Sequence, residues 1–197
     1  MSTLSYIRNL ITDPNIASIT PTSSWGVKRV CKDIDFDVRN CIVEYGPGTG
    51  VFTKFLLSHL TPDSKLILVE KNPNFVSILN KCFQQFDNVL IYNESAECVD
   101  DILTDCGEKE ANYILSGIPF SFFSDQLRDD IISKTYSILR DGGHFLPYQT
   151  FFQKDSHLKS YLMKYFEVVE DNYFLRNIPP MRTYKAKKET NAGIKTS

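Results

Sequence analysis

Nowhere does the sequence carry a Cys-x-x-Cys pair or a paired Cys/His spacing; its cysteines stand scattered at Cys31, Cys41, Cys82, Cys98 and Cys106. That absence argues against a metal site and against a disulfide framework. Cys41 and Cys82 fall inside apolar patterns and read as small core residues, with a reducing cytoplasm as the default location. No uninterrupted apolar run is long enough for a membrane span, and no cationic start leads into an apolar stretch, so neither a span nor a secretory signal is expected. An excess of one charge is missing too: 22 basic residues face 24 acidic ones, a net charge of −2. Such a balance gives no global pull toward nucleic acid or an anionic membrane. There is no internal repeat, and the 197 residues suit one domain with a sizeable core.

What the chain does have is the stretch Asn40-Cys-Ile-Val-Glu-Tyr-Gly-Pro-Gly-Thr-Gly-Val-Phe52. A short apolar, β-branched run ends in Glu44, three glycines follow on alternate positions (Gly46, Gly48, Gly50), and an apolar helical pattern starts at Val51. This is strand, tight turn, helix. Glycine serves such a turn because the backbone takes positive φ and because a Cβ would hold a ligand off the main chain. The N–H groups of the following helix start face into the turn, which favours a nucleotide-like occupant. A dinucleotide fingerprint would place a small residue where Val51 stands, and a phosphate-cradling loop would show Gly-Lys-Ser/Thr; neither is present.

Further along, strands and helices alternate. Strands are expected at 65–70, 88–92, 111–116, 144–150, 167–175 (broken by Asp171-Asn172) and 181–187. Asp141-Gly142-Gly143 reads as a turn, and Pro147 as a bulge or an edge-like position. Helices are expected near Trp25–Ile34 after a Ser/Thr cap, after Asn72-Pro73, after Ser124 and over 154–166. An amphipathic helix through Leu4, Ile7, Leu10 and Ile11 is expected to pack as a flap on the domain, the alternative being a lid or a membrane-surface helix. Seven acids against one lysine between Glu94 and Glu110 read as a solvated face. The alternation implies an α/β fold: one mostly parallel seven-stranded sheet with a C-terminal antiparallel hairpin and helices on both faces. Residues 1–38 would form an N-terminal helical cap, 39–188 the main domain and 189–197 a flexible tail.

In such a sheet, ligands sit beyond the carboxyl ends of the strands. Glu44-Tyr-Gly-Pro-Gly-Thr-Gly50 resembles the first motif of the Rossmann-like, class I S-adenosylmethionine-dependent methyltransferases. The resemblance implies S-adenosylmethionine as cofactor (S-adenosylhomocysteine as product) and no metal. It places cofactor contacts at Glu44, Tyr45, Gly46, Gly48, Gly50, Glu70, Lys71, Ser95, Ala96 and Ser116. Glu70, ending the second strand, would accept from the ribose hydroxyls. Glu44 would meet the methionine amino group through water. Ser95-Ala96 would offer backbone to the adenine edge, although many of these enzymes have Asp where Ser95 stands.

The fourth strand bears on the acceptor. Adenine-N6 methyltransferases show Asn/Asp/Ser-x-Pro-aromatic there, whereas this chain has Gly117-Ile-Pro-Phe120 and lacks the polar side chain. Leu115-Ser-Gly-Ile-Pro-Phe120 and Arg176-Asn-Ile-Pro-Pro-Met-Arg-Thr-Tyr184 resemble the bacterial phospholipid N-methyltransferases instead. The rRNA adenine dimethylases are similar, but carry a small helical C-terminal domain for which this chain has no residues left. The expected reaction is N-methylation of a phospholipid head-group amine of the phosphatidylethanolamine kind, in the cytoplasm or at the inner face of the membrane. The alternatives are an rRNA adenine-N6 dimethyltransferase-like enzyme and a non-catalytic cofactor-binding module. Candidate catalytic residues are Ile118, Pro119, Phe120, Tyr148 and Tyr184, with Asp125 behind them. Phe120, Phe122 and Phe123 would line the acceptor pocket or pack in the core, and His144 and His157 are read as structural or exposed. The basic residues Arg182, Lys185, Lys187 and Lys188 would either meet lipid phosphates or guard an edge strand.

Overall fold

The computed structural model describes residues 23–150, 157–174 and 180–190. The expected N-terminal flap helix and most of 189–197 lie outside them. Seven strands form one sheet in the order β3-β2-β1-β4-β5-β7-β6. They are β1 (Cys41–Tyr45), β2 (Lys65–Val69), β3 (Val89–Tyr92), β4 (Ala111–Ser116), β5 (Leu139–Thr150), β6 (Val168–Phe174) and β7 (Met181–Lys187). The first five run parallel; β7 is antiparallel to both β5 and β6. The helices are α1 (Ser24–Cys31), α2 (Val51–Leu57), α3 (Pro73–Phe83), α4 (Val99–Asp105), α5 (Asp125–Ile138) and α6 (Leu158–Tyr165).

Every residue of β1 is buried, as a central parallel strand covered on both faces requires. The core accordingly falls into two clusters. Ile42, Leu66, Leu68 and Leu115 face Val27, Val30, Phe52 and Leu79. Val43, Tyr45, Ile67 and Ile114 face Val99, Ile131, Ile132 and Leu162. Local signals start the helices: the Ser23, Asn72 and Ser124 side chains accept from Gly26, Asn74 and Leu127 N–H respectively.

Several local expectations change, among them Cys82, which is exposed on α3 rather than packed in the core. Asp141-Gly142-Gly143 is not a turn but part of β5, which begins at Leu139 as soon as α5 ends. The ladder with β4 shifts register between Ala111 and Tyr113, and Gly142, at φ 76, absorbs the extra residues. Asp171-Asn172 does not break β6, because both pair with β7. Pro147 is on an interior strand: it pairs with Ser116, while the ladder to β7 lapses between Phe145 and Tyr148, where its missing N–H costs least. β7 likewise is interior, so its basic residues guard no edge. Arg182 and Lys185 pair with Asp171 and Asp33, and Lys188 donates to the carbonyls of Tyr136 and Leu139 at the end of α5.

Gly50 caps α2 at φ 81, and a Cβ built on it would lie 2.5 Å from the Phe83 ring of α3. Gly107 has a similar φ of 72 with nothing within 4 Å. Gly50→Ala should therefore lose clearly more stability than the roughly 1–2 kcal/mol of left-handed strain that Gly107→Ala incurs. Equal losses in chemical denaturation would mean that α3 does not pack on the loop.

Candidate active site

Where the strand order reverses, between β1 and β4, a cavity of about 300 Å³ opens at the carboxyl edge. That is the small end of the usual range for small-molecule sites. Gly46, Glu70, Lys71, Ser95, Ala96, Ile118 and Pro119, all expected from the sequence, line it. So do Asn72, Pro73, Phe75, Glu94, Phe123, Leu127 and Ile131. Among these, Phe75, Leu127 and Ile131 carry no signal in the sequence beyond helical apolar spacing, which also describes core residues. Asn72-Pro73 is readable as a helix start, but not as a cavity wall.

The glycine turn owes its shape to positive φ at Gly46, Gly48 and Gly50. At Gly46 the close approach is to protein: a Cβ there would lie 2.8 Å from Ile118 Cγ2. Glu70 holds the turn. Its Oε2 accepts from Gly48 N–H at 3.1 Å and its Oε1 from Asn72 N–H at 2.8 Å. Two main-chain donors leave lone pairs on each oxygen, so the carboxylate can still accept from a ligand. Asn93 ties the next strand end in, donating to the carbonyls of Glu70 and Lys71.

Glu44 is wholly buried on the α2 side of β1. Its Oε2 accepts from Thr53 Oγ1 at 2.7 Å, and its Oε1 has no hydrogen-bond partner. Burial pushes its carboxyl up to about 8; the Thr53 hydrogen bond opposes this and Glu70 adds to it. Several other expected residues stand outside the cavity lining. Tyr45 is buried, with its hydroxyl 3.2 Å from Thr135 Oγ1. Gly48 and Gly50 shape the turn from behind, and Ser116 is buried with its Oγ unpartnered. Tyr184 is in the core on β7.

The β4 exit runs through Gly117, Ile118 and Pro119 into a short 3₁₀ turn, Phe120–Phe122. Phe120 does not face the cavity: it is fully buried, packed edge-on against Phe123 and Phe145. Phe123 lines the cavity, while Phe122 is 54% exposed. Arg128, unremarked in the sequence, braces this turn by donating to the Phe120 carbonyl from Nε and Nη2 at 3.1 and 3.0 Å and to the Phe123 carbonyl at 3.2 Å. Asp125 pairs with Arg128, and His144 stacks on Tyr113. Tyr148 lies across from Gly117, its ring stacked on Phe52 at 4.4 Å.

No protein-family profile matches the chain. It is 27% identical over 176 residues to an ornithine lipid N-methyltransferase of Singulisphaera acidiphila, covering 86% of each. The fold superimposes on an S-adenosylmethionine-dependent O-methyltransferase of Thermotoga maritima with a TM-score of 0.65 at 17% identity, covering 98% of this chain and 73% of that one. In sequence and in fold the chain is thus similar to class I S-adenosylmethionine-dependent methyltransferases. A ribosomal RNA small subunit methyltransferase A of Staphylococcus carnosus is 22% identical over 115 residues, 57% of this chain and 38% of that protein.

The residues present fit S-adenosylmethionine. A cavity walled by Pro73, Phe75 and Phe123 suits the adenosyl group, and the buried Glu44 carboxyl keeps one oxygen, Oε1, without a hydrogen-bond partner. Among the described residues, no group of three His, Cys, Asp or Glu side chains could hold a metal ion.

Because the folded protein keeps a proton on Glu44 up to about 8, whereas the unfolded chain releases it near 4.5, the unfolded state binds fewer protons in between. Stability without cofactor should therefore fall as pH rises through that window. Glu44→Gln removes the titrating group, so its melting temperature should gain progressively on the parent between about pH 5 and pH 8. Parallel melting curves would mean the carboxyl is already ionised in the fold.

Proposed function

We propose that this protein is a methyltransferase that transfers a methyl group from S-adenosylmethionine to the amine of a lipid head group. The β4 exit carries the reading. Adenine recognition there needs a side-chain amide or acid for the exocyclic amine and a ring to stack on the base; residue 117 has no side chain and the Phe120 ring is sealed in the core. A buried base amine left without a partner would cost about 1–3 kcal/mol. The likeness to an ornithine lipid N-methyltransferase supports the same class of acceptor.

In this reading Glu70 accepts from the ribose hydroxyls while holding the glycine turn, and Lys71 flanks it. Glu94, Ser95 and Ala96 meet the adenine, whose faces lie against Pro73 and Phe75. Glu44, behind the turn, compensates the charge of the methionine amino group, and Ile118 and Pro119 flank the methyl. S-adenosylmethionine supplies an electrophilic methyl on a good leaving group. The protein's part is alignment of the acceptor nitrogen in line and exclusion of water. Among the described residues no helix is long and apolar enough to cross a membrane, so the lipid would be met at a surface.

Two measurements test this. Glu70→Ala should weaken S-adenosylmethionine binding by about 1–3 kcal/mol in titration calorimetry; unchanged affinity would place the ribose elsewhere. Incubating the full chain with methyl-labelled cofactor and either vesicles containing amine-headed lipids or unmethylated ribosomal RNA should label the lipid. Label in RNA alone would overturn the lipid reading. Label in neither, with the cofactor bound, would leave a binding module.

A further inference from the structure

Gly117 does not need to be glycine for its backbone: its φ is not in the left-handed region. What requires glycine is a neighbour. A Cβ built on residue 117 would lie 2.5 Å from Tyr148 Oη, 2.9 Å from Cζ and 3.2 Å from Cε2. The phenol oxygen therefore stands against the β4 exit, where a polar side chain at 117 would otherwise project. The ring is held from behind: it stacks on Phe52 at 4.4 Å and 20°, and Phe52 is itself only 3% exposed in the first turn of α2. The backbone registers it too, since Tyr148 pairs with Thr183 of β7 and Gly117 N–H donates to the Tyr45 carbonyl. Gly117 is followed directly by Ile118, whose side chain abuts Gly46 in the cavity wall. Tyr148 is half-buried rather than sealed, and residue 117, against which its oxygen stands, directly precedes the cavity-lining Ile118.

We infer that Tyr148 is the acceptor-binding residue, and that Gly117 is glycine to admit its phenol. The inference rests on the amine-acceptor reading and names the group that reads the amine. An ammonium has no lone pair and cannot attack; the neutral amine has one lone pair and N–H bonds to give away. The phenol oxygen accepts one N–H hydrogen bond, which fixes the nitrogen and turns its lone pair toward the methyl carbon. The N–C bond then forms as the C–S bond breaks, the electron pair stays on sulfur, and the surplus N–H proton passes to water. One acceptor oxygen in that place selects a small aliphatic amine over a planar base, which would need a donor and acceptor pair and a stacking ring.

Tyr148→Phe keeps the stack on Phe52 and removes only the oxygen. With amine-lipid vesicles, its kcat/KM should fall by roughly tenfold or more, the usual effect of losing one hydrogen bond in the reacting complex. Cofactor affinity should stay unchanged. Gly117→Ser, which drives a side chain into the phenol, should cost activity in the parent and less in the Tyr148→Phe background. Parent activity on amine lipids that Tyr148→Phe leaves intact, or a loss explained wholly by weaker cofactor binding, overturns this inference alone. A parent that labels no amine lipid overturns the proposed function and this inference with it.

Discussion

One carboxylate binds the site together. Glu70, at the end of β2, accepts from a main-chain N–H in the turn after β1 and from another in the segment that starts α3. Charge-assisted hydrogen bonds of this kind are about twice as strong as neutral ones, and here both are shielded from water, since Glu70 is only 6% exposed. The three positive-φ glycines give the turn its bend, but a flexible segment needs an anchor to keep one conformation. Glu70 is that anchor, and it faces the cavity while serving as one.

Around that anchor the sheet sets the electrostatics. Glu44 and Glu70 end neighbouring strands, and the first is driven toward its neutral form by burial. An enclosed acid with an unpartnered oxygen is costly until a positive or hydrogen-bond-donating group arrives. The same logic explains Arg128, whose guanidinium is buried at no great cost because its donors meet the carbonyls of the 3₁₀ turn after β4 and the Asp125 carboxylate. The turn it braces carries Phe123 into the cavity wall and Phe120 into the core.

The alternation of strands and helices was legible because parallel strands in β1 to β4 are short, apolar and separated by amphipathic helices. Errors gathered in the C-terminal third. Asp141-Gly142-Gly143 and Asp171-Asn172 have turn composition, yet the ladders formed by neighbouring strands override it. Glu70, Ser95-Ala96 and Ile118-Pro119 could be placed at the cavity because strand ends are readable. Phe75, Leu127 and Ile131 could not, since an apolar helix position looks alike whether it faces a ligand or a core.

By itself, then, the amino-acid sequence determined the α/β alternation, the glycine turn and the acids that end β1 and β2, because each is a local pattern of period, flexibility or charge. Only the tertiary structure decided which way the aromatic residues point. Phe120 and Tyr148 are equally plausible acceptor-facing residues in the sequence. Packing against Phe145 draws the first into the core, and the stack on Phe52 holds the second against Gly117. Both outcomes depend on contacts between residues far apart in the chain, and no local pattern records them.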